Sequence, residues 1–195
     1  MGNPLQSIEF PGLGEYEIIN PKDYGLCGFS VPIDSLDDAS VFGLYQSNVG
    51  GPTDAMWDCL TIPLDKYFAT QIACKTNSDE CYICVRKKQN GVWGEWEWVN
   101  APMVSGVEYR TTKRWLNKPV YQKYIQIGAV AAGSNTISHG ITGFTGCVSI
   151  QLTDGSHQNV TQHPNVSGLY VTASGIFLTV GEAQTFHATL EYTKS

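Results

Sequence analysis

Trp115-Leu116-Asn117-Lys118-Pro119-Val120-Tyr121-Gln122-Lys123-Tyr124-Ile125-Gln126-Ile127-Gly128 is the stretch from which the rest of the chain is read. A tight turn at Asn117-Lys118-Pro119 leads into an alternating strand, with Tyr121, Lys123, Ile125 and Ile127 on one face and Gln122, Tyr124 and Gln126 on the other. The strand is expected to break at Gly128, and Ser138-His139-Gly140-Ile141 reads as a second turn. Nothing in the stretch has the look of catalytic machinery.

Further along, the same period of two recurs. A strand over 147–152 would point Val148, Ile150 and Leu152 inward, and 168–173 and 175–180 form a hairpin through Ala173-Ser174-Gly175. A last strand over 186–192 would bury Phe186, Ala188, Leu190 and Tyr192 and leave His187, Thr189 and Glu191 outside. Short alternating strands joined by tight turns predict an all-β chain with an antiparallel β-sandwich over 117–195.

Composition agrees. Gly, Thr, Ser, Asn and aromatic residues are plentiful in the 195 residues and charged ones make up only 15%, which suits strands and turns better than helices. No apolar run is long enough for a transmembrane helix, so no membrane insertion is expected, and residues 1–20 lack the pattern of a secretory signal. The net charge of −6 is uneven: ten acids and one Lys give −9 over residues 1–65, and the remainder carries +3. An acidic first third argues against a nucleic-acid binder.

Toward the N-terminus, residues 1–32 show frequent Pro and Gly among scattered apolar side chains and read as an extended arm that covers its own sheet or clasps another subunit. Residues 33–101 read as a small β domain with an Asp-rich turn at Asp34-Ser35-Leu36-Asp37-Asp38. Its strand Leu60-Thr61-Ile62-Pro63-Leu64 is expected at an edge because of Pro63. It closes on Gly91-Val92-Trp93-Gly94-Glu95-Trp96-Glu97-Trp98, where strand alternation would set Trp96 and Trp98 on one face and Trp93 on the other. Residues 102–116 read as a connector.

Two resemblances follow from these residues. The Asp-rich turn, Gly43-Leu44-Tyr45, Cys84-Val85-Arg86 and the closing Gly-x-Trp-x-x-Trp resemble the knob domain of pyocin tail fibres. The Trp, turn, Pro-Val-Tyr, basic strand and His-Gly-Ile of 115–141, with the ending Leu190-Glu191-Tyr192-Thr193-Lys194-Ser195, resemble the C-terminal domain of bacteriophage tail-fibre and head-fibre proteins. The resemblance implies a structural virion fibre protein, made in the host cytoplasm and carried on the virion, that forms a homotrimer. It implies a sandwich tip that binds host surface polysaccharide, and for the arm 1–32 it adds, beside covering its own sheet or clasping a subunit, the reading of attachment to a capsid or tail protein. The alternative is a carbohydrate-binding or trimerisation and chaperone module of a tailspike depolymerase.

For the glycan, the long polar segment 153–167 offers His157, Asn159, His163 and Asn165, side chains able to hydrogen-bond sugar hydroxyls, and Trp93 offers an aromatic face. A plain surface loop and plain structural packing of the tryptophans are the competing readings. The basic group Arg110, Lys113, Arg114, Lys118 and Lys123 reads as a solvated face or an anionic-glycan site. No nucleophile elbow, Walker loop, HExxH or Rossmann fingerprint occurs, so no enzyme activity and no cofactor are expected. Cys81-Tyr82-Ile83-Cys84 is the one CxxC, and as a strand it would point its thiols to opposite faces, so no metal site is expected and the six cysteines read as reduced and largely buried.

Overall fold

The computed structural model describes residues 7–10, 14–17, 30–76, 79–156 and 165–195. The fold is all-β, and the chain divides into two compact units, Met1–Trp96 and Glu97–Ser195.

In the first unit, β1 (Ser7–Phe10) and β2 (Gly14–Glu17) pair as an antiparallel hairpin within the stretch read as an arm. The main sheet has β3 (Val31–Pro32) beside β4 (Gly43–Ser47), followed by β5 (Trp57–Pro63), β6 (Ala69–Lys75) and β7 (Ile83–Gln89), with β8 (Val92–Trp93) folded back on β7. One face is closed, carrying Tyr45, Trp57, Cys59, Ala73 and Cys84, all buried. β5 is an inner strand, which corrects the edge expected from Pro63. The proline is tolerated because β4 reaches only to Thr61, so no β4 carbonyl waits for the missing amide.

The second unit is a sandwich. One sheet runs β13 (Phe144–Asp154), β16 (Gln184–Lys194), β11 (Lys118–Val130), β10 (Glu108–Trp115) and β9 (Glu97–Trp98), antiparallel except for the β10–β9 pair. The other runs β12 (Gly133–Ile137), β15 (Ile176–Val180) and β14 (Val166–Val171). Between them lie Val130, Ile141, Leu152, Ile176, Leu178, Val180, Phe186, Ala188, Leu190 and Tyr192. The alternation in β16 is as the sequence predicts for its four apolar residues, but His187 is 7% exposed rather than facing out. β16 is a central strand, and Tyr124 from β11 covers its second face, stacking on the imidazole at 5.8 Å and hydrogen-bonding Nδ1 at 2.9 Å.

Gly128 does not end its strand. It takes φ +82° at a register shift between Gln126 and Gly128, and β11 continues to Val130, so the glycine is a bulge. Within 102–116, residues 108–115 form β10, with Tyr109 and Thr111 buried. The described cysteines divide: Cys59 and Cys84 are buried, while Cys74, Cys81 and Cys147 are exposed, against the expectation of burial for most, and Cys27 lies outside the described residues.

Candidate functional site

In the first unit the tryptophans converge on a cation. Segment 93–98 is not one strand, because β8 ends at Trp93 and an irregular stretch follows, so strand alternation does not hold across it. Trp93 and Trp96 approach the Arg86 guanidinium with ring centroids at 4.6 and 4.3 Å. Arg86 Nη2 lies 2.6 Å from Asp37 Oδ1, and Arg86 Nε donates to Gln71 Oε1 at 2.7 Å. Gln71 Nε2 donates in turn to Leu36 O and Thr61 Oγ1. The indole N–H groups are also committed, Trp93 to Asp37 O at 3.1 Å and Trp96 to Gly50 O at 2.9 Å.

The Asp-rich turn is thereby explained. Ser35 accepts the Asp37 amide and caps the short 3-10 turn Leu36–Asp38, whose backbone and Asp37 carboxylate receive the arginine and one indole. Burial lowers the Arg86 pKa from its ordinary value, and the Asp37 contact works against that shift. Trp93 is half-buried and held in this cluster, and Trp98 packs edge-on against Tyr109 at 5.3 Å in the second unit.

In the second unit, registers separate two ends of the sandwich. Asp154, Asn165 and the 181–183 turn lie at one end, since Val180 pairs with Gly133 and Val166. Asn165 O accepts the Gly181 amide there at 2.8 Å. His157, Asn159 and His163 lie outside the described residues.

At the opposite end, where Ile176 pairs with Ile137 and Val171, the 138–142 turn and the Ala173-Ser174 turn border an open hollow of about 270 Å³. Its lining is Ser138, His139, Gly140, Ile141, Thr142, Ala173 and Ser174. His139 fixes the two turns together. Its Nδ1 accepts the Ile141 amide at 3.0 Å, so its Nε2 carries the proton and donates to Thr172 O at 3.0 Å. The ring is buried, and it bonds both its own turn and a carbonyl 33 residues away.

From His139 runs an aromatic ladder. His139 stacks on Phe144 at 5.0 Å, Phe144 meets Tyr192 at 6.0 Å, and Tyr192 stacks on Tyr121 at 6.0 Å. Lys194 lies over Tyr121 at 4.3 Å, and both the Tyr192 hydroxyl and the Lys194 ammonium donate to the Glu108 carboxylate. Burial first, then Glu108, pushes the Tyr192 pKa up, so its hydroxyl stays a donor. Lys123 Nζ donates to Gly140 O at 3.1 Å, which pins the turn from β11. The hollow therefore has the braced His139 in its wall and the exposed hydroxyl residues Ser138, Thr142 and Ser174 at its rim.

This arrangement is suited to hydrogen-bonding a polyhydroxylated ligand. The sequence marked its two turns but not that they meet, because the contact joins residues 33 positions apart.

No family model matches the chain, and no curated protein matches it. Among solved structures it is similar to an R1 pyocin fibre of P. aeruginosa, with 9% identity, a TM-score of 0.36, and 94% of this chain and 72% of the other covered. It is also similar to an R2 pyocin fibre of P. aeruginosa, at 11% identity, TM-score 0.32, with 93% and 71% covered. A further similarity is to an N-truncated R2-type pyocin tail fibre, at 10% identity, TM-score 0.29, with 85% and 95% covered.

Proposed function

We propose that this chain is a structural, non-enzymatic virion fibre protein that acts as a homotrimer and meets host cell-surface glycan during adsorption. The observation that carries the reading is the open, hydroxyl-rimmed hollow at one end of the sandwich, held by His139, whose ring stacks on Phe144. A site of this kind holds saccharide weakly through a few hydrogen bonds, and several copies on one particle raise the effective affinity by avidity.

Support also comes from the motifs. The residues that resemble fibre proteins are the joints of their units: Asp37, Arg86 and Trp93 in the first, His139, Tyr121 and Tyr192 in the second. Residues 1–32 serve as the attachment segment to capsid or tail, and the protein is carried on the virion.

A saccharide array probed with the whole chain tests this reading. Binding to bacterial surface saccharides is expected, weakened in Ser174→Trp, whose side chain fills the hollow from an exposed turn. Absence of binding to every saccharide would contradict the receptor role. Release of reducing ends from those polymers would contradict the non-enzymatic assignment.

A further inference from the structure

The β10–β11 hairpin ends in a ribbon exposed over seven successive residues, Thr112 through Lys118. Its two-residue turn is Leu116-Asn117, with φ +47° and +63°. Both positions lie in the left-handed region that a type I′ turn requires, which suits Asn but strains Leu. Such strain at an exposed tip directs attention to what the tip presents.

It presents an indole and a cation side by side. Trp115 and Lys118 are the last register pair of the hairpin, so their side chains leave the same face as direct cross-strand neighbours. Trp115 is 51% exposed and Leu116 83%. The other tip cations are already engaged: Arg114 Nη2 grips both Glu97 oxygens at 2.7 and 2.9 Å, and Lys113 is on Glu191. Lys118 makes no ion pair among the described residues.

The tip also lies at the ligand end of the sandwich. Tyr121 pairs with Tyr192, so the hairpin runs on past the level of Lys194 at the same end as the 138–142 turn.

We propose that Trp115 and Lys118 form an acidic-saccharide subsite, in which the exposed indole stacks on a sugar ring and the ammonium pairs with a carboxylate or phosphate borne by the same or the next residue of the polymer. This rests on the glycan-binding reading and names the ligand class within it. Sugar rings stack through their C–H faces on indole, and an exposed ammonium pairs with an anion in a manner that salt screens.

The test is an array of acidic and neutral bacterial saccharides, read at low and at physiological salt, with the whole chain and with Trp115→Ala, Trp115→Phe, Lys118→Gln and Ser174→Trp. Acidic saccharides should bind best, with about tenfold loss in Trp115→Ala. Trp115→Phe should retain binding within about threefold, because a ring face remains. Lys118→Gln should flatten the salt dependence and level acidic with neutral ligands. Matching thermal melts of each variant and the parent separate binding from folding. Neutral saccharides bound as well as acidic ones, or acidic binding undiminished in Trp115→Ala, would overturn the subsite and leave the glycan reading standing. Binding to no saccharide would overturn both.

Discussion

At the residue scale, Arg86 is the most connected side chain of the first unit. Arg86→Gln removes the charge between two indoles and takes the donor from a buried Gln71 oxygen. Breaking one partner of such a network costs roughly 3 kcal/mol, and urea unfolding should show it as a lowered midpoint; a loss below about 1 kcal/mol would mean that the network relaxes around the gap. The buried thiols set an alkaline limit. Burial pushes Cys59 and Cys84 up to about 12 from 9.0, and Tyr192 is raised as well. Each folded thiol value lies above the ordinary one, so the stability the two thiols confer is complete below pH 9 and is lost as the pH rises from 9 through 12. Unfolding free energy measured against pH should therefore be level from 7 to about 9 and fall above it. A level profile to pH 11 would contradict this burial. Asp37, Arg86 and Trp93 were each visible as motif residues, but their convergence was not. The period-two rule assigned Trp93 to the wrong side because the strand it assumes ends at that residue.

At the element scale, the two-residue turn and the bulge make opposite predictions. Leu116 at φ +47° is strained, so Leu116→Asn should stabilise the chain by about 0.5–1 kcal/mol, read as a raised thermal midpoint. A lowered midpoint would show that the leucine side chain contributes packing that its 83% exposure does not suggest. Gly128 has open space around a Cβ but takes φ +82°. Gly128→Ala should cost about 1 kcal/mol for conformational reasons alone. The strands themselves were legible because apolar and polar residues alternate along β11 and β16, and the 172–175 turn was legible from Ala173-Ser174-Gly175. β12 was not, since Gly133-Ser134-Asn135-Thr136 has no apolar alternation and is a strand only through pairing with β15. His187 was misjudged for a related reason: the alternation rule assumes one solvated face, and β16 is covered on both.

At the scale of the whole molecule, charge and exposed apolar surface bear on assembly. The first unit carries the acidic excess, while the second holds the basic hairpin. Leu64, Tyr67, Phe68 and Val92 are all exposed on the first unit, clustered at the β5–β6 and β7–β8 turns, where Gly91 N donates to Tyr67 O. The proposed assembly would cover apolar groups of this kind. The fold class was readable from composition and period, but the number of copies was not, because association depends on which surfaces are left outside once the units close. Light scattering of the native mass at micromolar concentration tests the trimeric fibre most directly. The account predicts three copies, about 64 kDa for a chain of 21.4 kDa, unchanged on dilution through the micromolar range. A mass of one chain would contradict it.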